Sequence, residues 1–431
     1  MTLSELIKHS PADRLLLVAG EKHLTAQAIY SRIEIIREQR IPHTARIALE
    51  VDDHCEALIW MIALDGLVTS IFLVPTSLKQ SPDYPELRHQ ANCTHAISDQ
   101  EIVELSANQT PPNREAETEW LLATSGTTGT PKLIPHSRKS LTRTCKTDYT
   151  TGRMFTWGLV YDPFRFAGLQ VVLQALHSQS TLVLCNVDAG VNQIIDELRA
   201  GSVNALSATP SFWRKLLMSG KAGSLNFRQI TLGGEPVDQS ILDALKNTFS
   251  LAKITHIYAS TEIGVGFAVK DGKAGFPADF LNQTFSAGKL KISEGGKLLL
   301  ETQNTTTTNP TFEILDTGDL VEQKGNRIYF LGRDSGAINV GGNKVIPEMV
   351  ESIIRQLPEV VEVVVKPKKN SVLGQLVTAE IVAAATELSN VQLKEKIVTH
   401  CKASLEKHQI PALIKFVDEI VVNTTGKISR I

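Results

Sequence analysis

The 431-residue sequence has little net charge and few aromatic residues. Its 44 lysines and arginines are balanced by 46 aspartates and glutamates, which leaves a formal charge of −2. This balance argues against a protein that binds nucleic acid or an anionic membrane through a broad basic surface. Aromatic residues make up 6% of the chain, a composition that also disfavours a surface built to stack nucleic-acid bases.

Long apolar runs and cysteine clusters are also missing. The longest apolar runs, such as residues 57–68, contain Asp65 and fall short of the roughly 20 residues that a membrane-spanning helix needs. The N-terminal residues lack the basic and apolar regions of a secretory signal. The five cysteines are odd in number and widely spaced, which disfavours structural zinc and a disulfide framework. We therefore expect a cytoplasmic protein.

What the chain does contain is an alternation of short apolar strands and amphipathic helices over its first 260 residues. The pattern predicts strands at residues 45–51, 71–74, 120–124, 181–185, 203–208, 229–232 and 253–258. It predicts helices at residues 24–38, 55–67, 191–200, 211–219 and 240–248. Such alternation indicates an α/β fold with mainly parallel sheets covered by helices. Because ligands bind beyond the carboxyl ends of parallel strands, we expect functional loops after Leu122, Leu232 and Ile257.

The pattern changes after Arg333. Helices are predicted at residues 347–357 and 391–407, a strand at 360–365 and a final strand or hairpin at 413–422. These last residues, about 97 in number, are enough for a small α+β domain. The Thr- and Asn-rich residues 302–311 are expected to form an exposed turn in a β-rich region.

A loop rich in glycine and hydroxyl residues follows the strand at 120–124. It reads Thr124-Ser-Gly-Thr-Thr-Gly-Thr-Pro-Lys132. Backbone N–H groups and hydroxyls of such a loop converge on an anion, and Lys132 adds a positive charge. The loop is not that of the P-loop nucleoside triphosphatases, because Pro131, five residues after Gly126, stands where their second glycine would be required. The pattern therefore predicts a phosphate-binding loop of another kind.

Five further motifs follow this loop in a fixed order. They are Leu232-Gly-Gly-Glu-Pro-Val237, Tyr258-Ala-Ser-Thr-Glu262, Asp316-Thr-Gly-Asp319, Gly332-Arg-Asp334 with Ile338-Asn-Val-Gly-Gly-Asn-Lys-Val-Ile-Pro347, and Asn423-Thr-Thr-Gly-Lys427. Together with the loop they span about 300 residues. The set resembles that of the adenylate-forming superfamily, which comprises acyl- and aryl-CoA synthetases, adenylation domains of nonribosomal peptide synthetases and firefly-type luciferases.

The resemblance implies a two-domain organisation. Residues 1–332 would form a large domain that binds ATP and an acid, with mainly parallel sheets and a small β subdomain. Residues 333–335 would form a hinge at Asp334, and residues 336–431 a small mobile α+β domain that carries the catalytic lysine. About 130 residues precede Lys132 and 56 separate Glu262 from Asp319. Both segments are short for the family, so the N-terminal and β-rich parts are expected to be trimmed.

The resemblance also implies a reaction and its residues. Mg-ATP would convert a carboxylate to acyl-AMP with release of pyrophosphate, and a thiol would then take the acyl group as a thioester. Because both reactants of the first step are anionic, the site must supply positive charge. Lys427 would bridge the carboxylate and the α-phosphate, Thr261 would contact that phosphate and Glu262 would hold Mg²⁺. ATP binding would fall to Thr124, Ser125, Gly126, Thr127, Thr128, Gly129, Lys132, Gly234, Glu235, Pro236, Tyr258, Ser260, Asp319 and Arg333.

Within this set Tyr258 would stack on adenine, while Asp319 and Arg333 would hold the ribose hydroxyls. The candidate acid pocket comprises Phe164, Arg165, Phe166, Gly168, Ala259, Ile263 and Gly264. Arg165 stands where the family has an aromatic residue or histidine. Its charge would meet an anionic or polar substrate group, or else pair with Asp162 or face solvent. Ala259 replaces the usual glycine and should narrow the pocket, and Asp162 is a weaker candidate for holding an amino group.

The acceptor thiol leaves alternatives open. Val340, Gly341 and Gly342 resemble the loop that lets a pantetheine arm approach the backbone closely. This loop is more similar to those of acyl- and aryl-CoA synthetases than to those of peptide synthetases, so CoA is the first expectation. The alternative is an enzyme that loads the phosphopantetheine of a carrier protein in trans. A catalytically silent nucleotide-binding module is disfavoured by the presence of Lys132 and Lys427, and a luciferase-like oxygenase ranks lower still. Lys344, near this loop, is expected to be solvated.

Overall fold

The computed structural model describes residues 1–105, 117–124, 131–304, 311–371 and 373–420. Its helices are α1 (Leu3–Lys8), α2 (Ala26–Glu38), α3 (His54–Leu64), α4 (Thr76–Lys79), α5 (Tyr84–Gln90), α6 (Arg138–Thr142), α7 (Tyr149–Gly152), α8 (Phe166–Ser178), α9 (Val191–Ala200), α10 (Pro210–Met218), α11 (Gln239–Thr248), α12 (Pro347–Ile354) and α13 (Asn390–Ser404). Its strands are β1 (Leu15–Ala19), β2 (Lys22–Thr25), β3 (Arg46–Leu49), β4 (Ser70–Leu73), β5 (His95–Ile97), β6 (Ile102–Glu104), β7 (Glu119–Ala123), β8 (Leu133–Ser137), β9 (Thr156–Leu159), β10 (Thr181–Leu184), β11 (Ala205–Ala208), β12 (Gln229–Gly233), β13 (Lys253–Ser260), β14 (Gly264–Val269), β15 (Phe276–Pro277), β16 (Thr284–Phe285), β17 (Gly288–Ile292), β18 (Lys297–Asn304), β19 (Thr311–Lys324), β20 (Arg327–Arg333), β21 (Ile338–Val340), β22 (Asn343–Val345), β23 (Val360–Asn370), β24 (Gly374–Ala383) and β25 (Leu413–Phe416).

Two mainly parallel sheets form the body of the molecule. The first has the order β14-β13-β12-β11-β9-β10-β1-β2, with antiparallel strands only at its two edges. The second has the order β6-β5-β3-β4-β7-β8, again with antiparallel edges. The predicted α/β architecture with parallel central strands is therefore confirmed.

Hydrophobic residues on both faces of each sheet explain the layering. Ile47 and Leu49 of β3 join a cluster with α2, α3 and α8, which lie between the two sheets. Ala48, between them in sequence, faces the other way into a cluster with α4 and α5. The outer face of the first sheet packs against α9, α10 and α11. Because successive residues of a strand point to opposite faces, a strand buried on both sides needs an unbroken apolar run.

The helices that border the site begin where capping residues dictate. Thr209 caps α10, where its hydroxyl accepts a hydrogen bond from the N–H of Phe212 at 3.1 Å, and Pro210 occupies the first turn. Asp238 caps α11 by accepting from the N–H of Ile241 at 3.0 Å. Both helices follow strands of the first sheet, so their N-termini lie at its carboxyl edge.

Two smaller sheets complete the fold. An antiparallel sheet of order β15-β20-β19-β18-β17-β16 surrounds a phenylalanine-rich cluster and corresponds to the expected β subdomain. The last sheet has the order β22-β21-β24-β23, with β25 parallel to β24, and α12 and α13 share its apolar core. The segment at 333–335 coincides with the end of β20 and a short 3-10 helix, Asp334–Gly336. Its role as a hinge stays a prediction.

The structure differs from the sequence predictions near the C-terminus. Strand β23 extends to Asn370, five residues past the predicted end, because β24 pairs with it along its whole length. The expected final strand or hairpin at 413–422 is a single parallel strand, β25, within the described residues. No helix in the part of the chain that the structure describes combines the length and the apolar content needed to cross a bilayer.

Candidate active site

The candidate site lies at the carboxyl edge of the first sheet. Gly233 ends β12 opposite Ile257 of the parallel strand β13, so the turn at 234–236 lies beside Tyr258. Gly234 has a φ of +82°, a left-handed conformation that favours glycine. The loops after β12 and β13 therefore meet where the strand pattern predicts a ligand.

Tyr258, Asp319 and Arg333 come together at this edge. The Tyr258 hydroxyl donates to Oδ2 of Asp319 at 2.6 Å, and Nε of Arg333 donates to Oδ1 of the same carboxylate at 3.2 Å. Asp319 and Arg333 are direct partners on β19 and β20, which explains how residues from one small sheet reach Tyr258. Burial and the nearby Asp319 raise the pKa of Tyr258, so its hydroxyl remains a neutral donor. The two hydrogen bonds therefore fix the orientation of the Asp319 carboxylate.

Two aromatic residues that the sequence analysis did not single out support Tyr258. The ring of Tyr258 stacks on Phe267 with centroids 5.2 Å apart and on Phe330 with centroids 5.1 Å apart. Phe267 is the direct antiparallel partner of Tyr258 on β14. The aromatic residues in adjacent strands were the available signal, but only the pairing register could show that they stack.

Glu235 is tied to α10. The N–H and the hydroxyl of Ser211 donate to its carboxylate at 3.0 and 2.8 Å. Burial raises the pKa of Glu235, and the hydrogen bonds from Ser211 oppose that shift. The predicted adenine-side turn is therefore anchored to the N-terminus of a core helix.

The phosphate-loop candidates are described only at the base of the loop. The N–H of Thr124 donates to the carbonyl of Lys132 at 2.8 Å, and the N–H of Lys132 donates to the Thr124 hydroxyl at 3.0 Å. These bonds close the β7–β8 hairpin on either side of the loop. Other members of the predicted site lie outside the described residues: Ser125, Gly126, Thr127, Thr128, Gly129 and Lys427.

Thr261 and Glu262 form the turn between β13 and β14. The Ser260 hydroxyl accepts from the N–H of Ile263 at 3.3 Å and closes this turn, while Glu262 is exposed. Among the described residues no group of three or more His, Cys, Asp or Glu side chains could hold a metal ion. A single exposed carboxylate nevertheless fits Mg²⁺, which takes its other ligands from water and substrate phosphates.

Arg143 and His136 also border this turn, although the sequence analysis missed both. Nη2 of Arg143 donates to the carbonyl of Ile263 at 3.0 Å. His136 is buried with its ring 6.0 Å from that of Phe166, and burial lowers its pKa. Both follow Lys132 closely in sequence, but neither belongs to a recognisable motif.

Some of the acid-pocket candidates pack in the hydrophobic cluster between the sheets, and others lie beside the β13–β14 turn. Phe164 is 2% exposed and belongs, with Phe166, to the hydrophobic cluster between the sheets; Ala259 packs against that cluster. A Cβ atom on Gly168 would collide with the carbonyl of Asp162, so the approach of α8 to the preceding loop requires glycine here. A Cβ atom on Gly264 would lie 3.0 Å from Nη2 of Arg143.

Burial lowers the pKa of Arg165, and the attraction of the nearby Asp162 opposes that shift. Its Nη2 donates to the Ser77 hydroxyl at 3.0 Å, and its buried Nε has no hydrogen-bond partner among the described residues. The Asp162 carboxylate instead accepts from the N–H of Phe164 at 2.8 Å. Among the described residues the Nε–H of Arg165 is therefore open to a further hydrogen-bond acceptor.

The candidate hinge and thiol loop lie in the C-terminal part. Asp334 pairs with Lys344 at 3.1 Å and with Lys297 at 3.5 Å, and the hydrogen bond from Lys344 lowers the pKa of Asp334. Lys344 is thus exposed but paired. Val340 is buried, whereas Gly341 and Gly342 have φ values of +58° and +88°.

The turn at Gly341 and Gly342 is held by its own sheet. The N–H of Gly341 donates to the carbonyl of Leu373 at 2.9 Å, and the N–H of Gly342 donates to Oδ1 of Asn339 at 3.0 Å. A cavity of about 730 Å³ opens beside this turn. Its lining residues are Asn339, Gly342, Lys369, Asn370, Ser371, Leu373, Gly374 and Gln375.

Comparisons with known proteins cover nearly the whole chain. Residues 35–296 match the sequence profile of the AMP-binding enzymes, and residues 349–427 match that of the AMP-binding enzyme C-terminal domain. The chain is 23% identical over 427 residues to the 2-succinylbenzoate–CoA ligase of Lactococcus lactis, with 90% of each covered. It is 25% identical over 409 residues to the mitochondrial acyl-coenzyme A synthetase ACSM4 of Mus musculus, covering 85% of this chain and 68% of that protein.

Two solved structures of one enzyme, each with a different bound ligand, resemble this fold. The o-succinylbenzoate CoA synthetase of Bacillus subtilis in complex with its acyl-adenylate intermediate gives a TM-score of 0.70 at 20% identity, covering 99% of this chain and 96% of that one. A double mutant of that enzyme bound to the product analogue OSB-NCoA gives 0.60 at 19% identity with the same coverage.

Proposed function

The chain belongs to the AMP-binding enzyme family and is an AMP-forming acid–thiol ligase, and we propose that it joins a small carboxylic acid to CoA. The observation that carries the assignment of its nucleotide site is the junction of Tyr258, Asp319 and Arg333 beside the Gly234 turn. An ionised carboxylate with two acceptor oxygens, held between two donors, suits the vicinal hydroxyls of a ribose.

We infer two chemical steps. In the first, a carboxylate oxygen of the acid attacks the α-phosphorus of ATP, the bond to the bridging oxygen breaks, and pyrophosphate leaves. In the second, the thiolate of CoA attacks the acyl carbonyl, the carbon–oxygen bond breaks, and AMP leaves. The first step brings anions together, so fixed positive charge lowers its barrier. We assign that charge to Lys132 and Lys427, and magnesium binding to Glu262 together with the ATP phosphates.

The acid is proposed to lie between the β13–β14 turn and the Arg165 segment. Ile263, Gly264 and Ala259 would contact its organic part, while Arg165 would face an anionic group of the bound reactants. One relative named above is a 2-succinylbenzoate–CoA ligase and the other an acyl-coenzyme A synthetase, so the family does not fix the acid and the pocket must set the preference.

The test is pyrophosphate exchange into ATP, run without thiol over a panel of aryl, fatty and amino acids. Exchange with one class of acid is expected, and no exchange with any acid, in protein that binds ATP, would contradict the proposal. Adding CoA or a phosphopantetheinylated carrier protein then identifies the acceptor. We expect a CoA thioester; acylation of the carrier alone would favour the carrier-loading alternative.

A further inference from the structure

We propose that Arg214 and Glu362 form a clasp that holds the C-terminal sheet in the arrangement used for adenylation. Arg214 and Glu362 would then be positioning residues for the first half-reaction. The inference rests on the proposed function, and it adds a contact that alternates during the reaction. Both side chains lie outside the motifs of the nucleotide site.

The clasp joins two parts of the molecule that are far apart in sequence. Arg214 lies on α10 of the body and is 8% exposed, and Glu362 lies on β23 of the C-terminal sheet and is 7% exposed. Nη1 of Arg214 is 3.4 Å from Oε2 of Glu362. Exclusion of water at both ends strengthens the Coulomb attraction between the two charges relative to a surface ion pair of the same length.

Each member of the clasp also has a second partner on its own side. Arg214 pairs through Nη2 with Asp238, the N-cap of α11. The other oxygen of Glu362 accepts from Nε of Arg355, the residue that follows α12, at 2.9 Å, and Arg355 also pairs with Glu351 of α12 at 3.4 Å. Charges of alternating sign therefore run from α11 through the clasp to α12.

This arrangement lets the clasp open at moderate cost. Removing one partner of a buried ion pair normally leaves an uncompensated charge away from water, which is strongly destabilising. Here Arg214 keeps Asp238 and Glu362 keeps Arg355 when the two parts separate. A contact with a resident partner on each side suits a surface that must form and break in every catalytic cycle.

The neighbours of the clasp indicate which half-reaction it serves. Asp418, Glu419 and Ile420 line a small cavity together with Ser211 and Arg214. The same Ser211 donates both hydrogen bonds to Glu235 of the nucleotide site.

The rest of the chain agrees with this assignment. In the sequence, Lys427 lies seven residues beyond Ile420. The Gly341–Gly342 turn, in contrast, bonds to Asn339 and Leu373 of its own sheet.

The direct test is Glu362→Gln, which removes the charge of the clasp while Arg214 keeps Asp238 and Arg355 keeps Glu351. Pyrophosphate exchange is expected to fall about tenfold, the loss that corresponds to one charge-assisted hydrogen bond. Thioester formation from supplied acyl-adenylate and CoA is expected to stay the same or rise. The matched control is Glu380→Gln, which breaks an ion pair with Lys366 inside the C-terminal sheet and should leave both half-reactions unchanged.

Equal loss of both half-reactions in Glu362→Gln, or no loss in either, would overturn the clasp. Arg214→Lys, which keeps the charge, should retain more exchange activity than Arg214→Gln; equal loss would also count against it. Trypsin cleavage within residues 333–336 provides a readout that needs no activity, and Glu362→Gln should be cut faster than Glu380→Gln. A wild-type enzyme that fails to exchange with any acid would refute the proposed function instead, whereas equal cleavage rates would refute the clasp.

Discussion

Replacing Asp319 by asparagine should weaken ATP binding far more than it changes the fold. In the structure both carboxylate oxygens are held, one by the Tyr258 hydroxyl at 2.6 Å and the other by Nε of Arg333 at 3.2 Å. The substitution removes the charge, and its amide nitrogen cannot accept a hydrogen bond from a ribose hydroxyl. Hydrogen bonds to a charged group contribute about 1.5–3 kcal/mol each. Loss of one such bond and weakening of a second predict a rise of roughly 30- to 300-fold in KM for ATP.

The assay is initial-rate pyrophosphate exchange as a function of ATP at saturating acid. The matched control is Asp316→Asn, in the same motif but exposed and paired with Lys297, for which KM should change less than twofold. Circular dichroism and thermal unfolding establish that both variants fold. A folded Asp319→Asn enzyme with KM for ATP within threefold of wild type would refute the assignment of this carboxylate to the ribose.

Three further perturbations follow from the described contacts. Arg165→Ala should change the preference among acids at least tenfold if the guanidinium faces the acid, while Arg165→Lys should retain more of the preference; an unchanged acid profile in a competition assay would place Arg165 outside the pocket. Gly168→Ala should lower the free energy of unfolding by about 1–3 kcal/mol, because its methyl group would collide with a backbone carbonyl, whereas Gly223→Ala, which meets open space, should not; equal urea midpoints would contradict the packing argument. Burial lowers the pKa of His136 in the folded state, so its contribution to stability is complete above the unfolded pKa of about 6.5 and is lost as the pH falls below that value. His136→Gln should therefore flatten the decline of stability below about pH 6.5, and an identical decline in the variant and the wild type would refute this.

Local sequence patterns predicted the elements that have strong local signals. Helix α9 has the predicted bounds, β12 differs from its prediction by one residue at one end, and α10 differs by one residue at each end. These elements combine a clear apolar period with capping residues or glycine at their ends. The sequence analysis predicts no helix at residues 166–178, where the structure has α8.

Contacts between distant residues could not be predicted from local patterns. Motif order suggested that Tyr258, Asp319 and Arg333 share a site, and the structure brings the three together. The support from Phe267 and Phe330 depends on strand register, which the sequence does not specify. Likewise, each of the charged residues near Arg214 would be interpreted alone as an ordinary surface group. Only the packing of α10 against β23 makes them a buried network.

The measurement that tests the central claim most directly follows a labelled oxygen. An acid that supports exchange is prepared with ¹⁸O in its carboxylate and incubated with ATP, magnesium and CoA, and the nucleotide product is examined by mass spectrometry. Adenylation predicts AMP that carries one ¹⁸O atom for each thioester formed, because the bridging carboxylate oxygen stays on phosphorus when the thiol displaces AMP. Formation of ADP with label in inorganic phosphate, or of AMP without label, would contradict the account.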